Sequence, residues 1–243
     1  MSKAWLSSLF VRCAQSLGAV LSPMRCVLCS TVTESPLLNE AGHALCPRCL
    51  HRLERTEQFH LRGNRTEDMF YTHPQFERGA CFLFYDKAEH VNRLVYAFKY
   101  FRTPELAYDL ALQAAKEALP TDFFDTVDVI MPVPLHPRRF RQRGYNQSEY
   151  IARGLSDVTK IPYDIEHLTR MRNNPQQARI RGNERARNVE GIFAVNHPEE
   201  LYRKHILLVA DVITTGSTMR ACMDAMRAFR GARISVFALA QPR

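Results

Sequence analysis

Residues 206–218 read ILLVADVITTGST and hold the residue types from which a phosphate site is built. Thr214, Thr215, Ser217 and Thr218 supply hydroxyls, and Gly216 lets the backbone approach a ligand closely. A helix starting at Ser217 would leave its first N–H groups without intrahelical partners and carry the positive end of the helix dipole, so an anion is stabilised there. Asp211, just before the loop, is placed to accept hydrogen bonds from ribose hydroxyls. The chemistry expected is the holding of a phosphorylated sugar. A plain strand, turn and helix whose Thr and Ser serve only as caps would share much of the pattern.

A second set is cysteine. Cys26 and Cys29, then Cys46 and Cys49, form two CxxC pairs separated by 16 residues, the spacing of a structural zinc site with four thiolates. Four protein ligands close the tetrahedron and leave no position for a reacting water. The expected role is therefore folding, in a segment too short to be stable on its own core. An iron–sulfur cluster is the alternative occupant. The remaining cysteines, Cys13, Cys81 and Cys222, fall on apolar faces and read as core thiols.

A third set is arginine. Arg138, Arg139, Arg141 and Arg143 present guanidinium forks, which suit bidentate phosphate contact better than lysine does. The net charge is +8, and residues 138–187 carry 12 Lys and Arg against 5 Asp and Glu. Such a stripe attracts a nucleotide, a nucleic acid or an anionic surface, although a solvated basic face would give the same count. Composition is otherwise that of a folded chain, 46% hydrophobic and 24% charged, which excludes intrinsic disorder.

The elements that position these groups follow from periodicity. Residues 206–209 form a continuous apolar run, as for a strand covered on both faces, and Cys222, Met226 and Phe229 lie at core spacing on a helix over 217–229. A strand over 233–238 completes the unit. The loop then sits at the carboxyl end of a strand, where open α/β sheets bind ligands. Upstream, the pattern predicts a strand over 80–85, helices over 90–100 and 104–118, a buried strand over 127–133, a helix over 147–158, a weak strand over 163–167 and a strand over 192–195. A strand ending at Val133 places Leu135 and His136 at the sheet edge. Residues 52–73, charged and poor in large apolar side chains, read as a linker or an irregular surface segment.

Before the cysteines, Trp5, Leu6, Leu9, Phe10, Cys13, Leu17, Val20 and Leu21 recur at helical spacing. This amphipathic segment, residues 1–22, is expected to pack on the protein's own body. A membrane surface or another chain is the alternative partner. No run is long enough to span a bilayer, and Arg12 interrupts any signal-like stretch. The expected compartment is the cytoplasm, with peripheral contact at the inner face of the membrane as the variant.

The loop closely resembles that of the type I phosphoribosyltransferases, whose signature is an apolar strand, two acidic residues and a VxTTGxT loop binding phosphoribosyl pyrophosphate. Here the first acidic position is Ala210 and only Asp211 is kept. Residues 131–152, MPVPLHPRRFRQRGYNQSEYIA, resemble a segment of the ComF family, a phosphoribosyltransferase-like branch linked to DNA uptake. Gln177, Glu184, Arg185, Asn188, Gly191 and Phe193 match the flexible segment of the same family.

The resemblance implies a type I phosphoribosyltransferase-like α/β domain over 79–243, with a mainly parallel sheet and flanking helices, and a zinc-ribbon module over 23–60. It implies that Asp211, Val212, Thr214, Thr215, Gly216, Ser217 and Thr218 bind phosphoribosyl pyrophosphate, accompanied by Mg²⁺. Leu135, His136 and Arg143 would meet the pyrophosphate, and Arg138, Arg139 and Arg141 a nucleic acid. The implied partners are a sugar phosphate, single-stranded DNA and DNA-uptake proteins. Three functions fit: a ligand-binding protein of DNA uptake, an active phosphoribosyltransferase with an unidentified acceptor, and a zinc-dependent nucleic-acid binder with a vestigial sugar site. No residue set names the acceptor or a catalytic group.

Overall fold

The computed structural model describes residues 25–33, 43–85, 90–100, 103–171, 191–229 and 231–243. The N-terminal amphipathic segment, Cys13, Gln177, Glu184, Arg185 and Asn188 lie outside the described residues. The chain divides into two units between Arg52 and Leu53, so residues 53–78 go with the larger unit.

The smaller unit contains strand β1 (Arg25–Cys26), paired in parallel with β2 (His43–Ala44), and helix α1 (Pro47–Arg52). Its tight turn is closed by Cys26 N–H donating to the Thr31 carbonyl at 2.9 Å and Ser30 N–H donating to the Cys26 carbonyl at 2.8 Å.

The larger unit is an α/β domain. It runs α2 (Arg65–Asp68), β3 (Phe76–Tyr85), α3 (His90–Tyr100), α4 (Glu105–Ala118), β4 (Val129–Pro132), α5 (Pro137–Arg143), α6 (Gln147–Thr159), β5 (Leu168–Arg170), β6 (Phe193–Val195), β7 (His205–Val212), α7 (Ser217–Ala225) and β8 (Arg233–Pro242). Four strands form one sheet in the order β3-β8-β7-β4, every neighbouring pair parallel. In β7 the residues from His205 to Ala210 are buried, and in β8 those from Ile234 to Gln241, because parallel strands are covered on both faces. Helix α6 lies close against α4. A Cβ at Gly154 would stand 2.6 Å from the Tyr108 carbonyl oxygen, so no larger residue fits there without moving a helix.

The β7, α7, β8 unit and helices α3, α4 and α6 lie where periodicity places them. The weak strand expected over 163–167 is a single bridge from Tyr163 to Ile130, and the paired strand follows at β5, antiparallel to β6. The reading of residues 52–73 as a surface linker is corrected by their burial. Leu53, Thr56, Gln58, Phe59, Asn64, Thr66, Glu67, Phe70 and His73 are all buried. Asn64 caps α2, its side chain accepting from the N–H groups of Thr66 and Glu67, and its amide donates to the Gly79 carbonyl at 2.8 Å. Glu67 accepts from buried Arg78 at 3.3 Å, and Arg78 also donates to Asp122. Charge is tolerated inside here because each group finds a hydrogen-bonded partner.

Candidate functional site

The phosphate loop hangs between β7 and α7 by three inward residues. Ile213, Gly216 and Met219 are buried, whereas Thr214, Thr215, Ser217 and Thr218 are exposed. Ile213 N–H donates to the Ala240 carbonyl at 2.9 Å, which ties the loop to β8. Gly216 is the N-cap of α7 with φ +71° and makes no side-chain cap, leaving the first N–H groups of the helix open to an anion. Thr215 Oγ1 donates to Ser217 Oγ at 3.1 Å.

The structure gives Gly216 a further reason. A Cβ there would lie 2.8 Å from Cζ and 3.0 Å from Cε1 of Phe70, a fully buried ring. The segment carrying Phe70 clamps α7 from below. Arg220 stacks over Phe70 at 5.9 Å and donates to the Met69 carbonyl, and Gln75 donates to the Phe229 carbonyl at 2.8 Å. The stretch that looks like a linker is the floor under the loop.

The loop forms one side of an open cleft of about 160 Å³. Its lining includes Asp211, Val212, Thr214, Gly216, Ser217 and Thr218 from the loop side. Leu135, Arg139 and Arg143 line it from the segment after β4. Thr215, His136, Arg138 and Arg141 are not among the lining residues.

The division among the arginines is helical. Residues 137–143 form α5, and the i,i+4 pair Arg139 and Arg143 shares the cleft face, while the i,i+3 pair Arg138 and Arg141 lies off it. His136 caps this helix, its Nδ1 accepting from Arg138 N–H at 3.2 Å. Desolvation, followed by the charges of Arg170, Arg141, Arg138 and Arg139, lowers its pKa and keeps the ring a neutral acceptor.

Sequence reasoning missed four polar side chains of the cleft: Lys99, Gln147, Ser148 and Arg170. Lys99, in the last turn of α3, holds Asp211 through an ion pair of 2.8 Å. Nothing local in the sequence signals this contact. Gln147 opens α6, where Asn146 caps the helix and donates to the Val133 carbonyl at 3.1 Å, fixing the helix start to the end of β4. Gln147 is 2% exposed, and its Nε2 has no hydrogen-bond partner among the described residues. Arg170 ends β5 and stacks on Phe193 at 5.3 Å. Burial and the charge of Arg139 both press its pKa down. Two guanidinium groups crowded in a half-buried wall are stabilised by an anion between them.

In the smaller unit the Sγ atoms of Cys26, Cys29, Cys46 and Cys49 all lie within 4.8 Å of one another. Those of Cys29 and Cys46 are 3.8 Å apart, and four thiolates about 2.3 Å from a zinc ion would stand about 3.8 Å from each other. Backbone N–H groups of Cys46 and Cys49 point at the sulfurs of Cys26 and Cys46, at 3.5 and 3.4 Å. Hydrogen bonds from Thr31 bring the Cys29 thiol down to about 6. Burial pushes Cys46 and Cys49 up, a shift that a cation among them would oppose. The donor set fits structural zinc. His51 is exposed and stands outside the cluster.

No family model matches the chain. It is similar to the DNA utilization protein YhgH of Escherichia coli K12, 29% identical over 217 residues that cover 88% of each chain. It is also similar to competence protein F of Haemophilus influenzae, 31% identical over 158 residues, 63% of this chain and 69% of the relative. Among solved structures it is similar to the glutamine phosphoribosylpyrophosphate amidotransferase from B. subtilis complexed with ADP and GMP, with a TM-score of 0.38 and 20% identity over 58% of this chain and 30% of that chain. At 31% identity over more than two thirds of that competence protein, and with its parallel α/β sheet and four-cysteine cluster, the chain belongs to the ComF family.

Proposed function

We propose that the cleft binds phosphoribosyl pyrophosphate or a related sugar phosphate, and that the protein acts in DNA uptake or processing as a ligand-binding protein. The observation that carries the reading is the cleft's lining: Lys99, Arg139, Arg143 and Arg170 supply four cations, and Asp211 is the acid. They face the open N-terminus of α7, whose N–H groups and the hydroxyls of Thr214, Ser217 and Thr218 would hold the 5-phosphate. Asp211, with Val212 beside it, would take a ribose hydroxyl. The guanidinium groups and the backbone at Leu135 would take the pyrophosphate. A single ion-paired carboxylate is no cage for Mg²⁺, so the metal would ride on the ligand's own phosphate oxygens.

Binding without turnover is the form we favour. Ala210 offers no charge, and Lys99 neutralises Asp211, so the ribose floor gives little to a positive charge developing on the ring. Active transfer to an unidentified acceptor is the second form. The names of the relatives, together with the basic surface, support a role in DNA handling, and on this reading the protein works in the cytoplasm. On this reading exposed Arg138 and Arg141 would contact single-stranded DNA, with DNA-uptake proteins as partners. No helix among the described residues is long and apolar enough to cross a membrane.

The test is calorimetric titration with phosphoribosyl pyrophosphate and Mg²⁺, followed by a pyrophosphate-release assay over a panel of bases. Saturable binding without release is expected. Release with any base would establish the transferase, and absence of binding would remove the assignment.

A further inference from the structure

The floor of the cleft pairs one acid with one lysine. Asp211 Oδ2 lies 2.8 Å from Lys99 Nζ, and both side chains are about four-fifths buried, exposed by 20% and 22%. Asp211 Oδ1 accepts Val212 N–H at 2.8 Å, and neighbouring Ala210, which lines the same cleft, brings no polar side chain to it. The acid is therefore fixed from both sides before any ligand arrives. Two free vicinal hydroxyls of a ribose are two O–H donors, which two unencumbered carboxylates would match with lone pairs to spare. This floor offers a single carboxylate, each oxygen of which already accepts one hydrogen bond, and one cation. It admits a diol, but it adds attraction for a ring with one free hydroxyl and one anionic substituent.

An ammonium carries three N–H donors. One is directed at Asp211, and the others are free to turn toward a phosphate oxygen without breaking that pair. We propose that the cleft takes a ribose 5-phosphate bearing a second phosphate on its 2- or 3-oxygen. The 5-phosphate lies on loop 214–218, the remaining hydroxyl on Asp211 and the second phosphate on Lys99. The assignment rests on the preceding reading, that this loop holds a sugar 5-phosphate, and names the class of ligand. Charge agrees with it, since the cations outnumber the single acid around the cleft and two phosphate monoesters bring about three to four negative charges at pH 7. Such a group exists in free nucleoside bisphosphates and, as a diester at the 3-oxygen, at the 5′-phosphorylated end of an RNA strand.

Calorimetry on the full chain with four probes decides it: AMP, adenosine 3′,5′-bisphosphate, adenosine 2′,5′-bisphosphate and a 5′-phosphorylated ribodinucleotide. Phosphoribosyl pyrophosphate with Mg²⁺ serves as the reference. At least one bisphosphate should bind about tenfold more tightly than AMP, the worth of one charge-assisted contact. In Lys99→Met, which keeps the aliphatic stem, the ratio of bisphosphate to AMP affinity should fall toward one. A dinucleotide that matches the bisphosphate supports the assignment and points to a strand end. A dinucleotide no better than AMP, beside a tight bisphosphate, supports it with the free nucleotide as ligand. If the reference binds but neither bisphosphate exceeds AMP, or if the ratio survives in Lys99→Met, the inference is overturned and the phosphate cradle stands. If none of the five binds, both fall.

Discussion

Gly216→Ala is the substitution that most directly connects the loop's geometry to binding. The residue has φ +71°, which costs an L-amino acid about 1–2 kcal/mol. The added methyl would also meet Phe70 at 2.8 and 3.0 Å. That ring cannot step aside, because it is fully buried, packed on Phe76 at 5.8 Å and covered by Arg220. Overpacking of this kind costs about 1–3 kcal/mol. The exposed residues on either side of Gly216 can move outward, so the loop relaxes and the whole cost does not fall on folding. A loss of about 2 kcal/mol in the binding-competent loop weakens phosphoribosyl pyrophosphate about 30-fold. The portion felt by the fold lowers Tm by a few degrees, about 2–4 °C per kcal/mol for a unit of this size. Calorimetry and thermal unfolding read the two shares. Adding Phe70→Leu to Gly216→Ala relieves the overlap but not the backbone strain, so it should return part of the lost affinity, about tenfold. Gly216→Val, with two further methyl groups, should abolish binding. Unchanged affinity and unchanged Tm in Gly216→Ala would refute both the clamp by Phe70 and the role of the loop.

The two faces of α5 should separate by assay. Arg139→Ala and Arg143→Ala should each weaken phosphoribosyl pyrophosphate about tenfold or more, whereas Arg138→Ala and Arg141→Ala should weaken single-stranded DNA and each lower the salt slope by roughly one; identical behaviour of the two pairs would show that the division is not functional. Ala210→Asp supplies a second carboxylate, so it should tighten ligands with a free vicinal diol and loosen any bisphosphate, as titration of both would show. Metal analysis should return one zinc per chain, and a folded chain with none would refute the four-thiolate centre. Burial, and then the charge of Glu105, raises the Asp109 carboxyl from its ordinary value to about 6. The folded protein thus holds this proton more tightly than the unfolded chain, and the stability is complete below about pH 4 and declines as pH rises through 6. Asp109→Asn should therefore stabilise by about 1–2 kcal/mol at pH 7.5 after allowance for partial exposure, with no gain near pH 4; an equal effect at both values would exclude ionisation as the cause.

The features legible without coordinates lie within a few turns of chain. The apolar run of β7, the TTGST loop and the core spacing of α7 read directly, as did α3, α4 and α6, because a strand or helix covered by others must repeat its apolar residues at a fixed interval. The two CxxC pairs were legible for a similar reason, since each turn aims both sulfurs at one point. Helix α5 has no buried residue, so it left no periodic trace, and only its formation separated Arg139 and Arg143 from Arg138 and Arg141. Residues 52–73 read as a linker because caps and buried hydrogen bonds, not an apolar stripe, hold them in place. Tertiary structure alone placed Phe70 beneath Gly216, Arg170 beside Arg139 and Lys99 on Asp211. Each of those pairs is distant in the chain, and its energy depends on burial and on a partner that no local pattern encodes. Thus the position of the phosphate loop was a property of the sequence, but the charge of the cleft around it was a property of the fold.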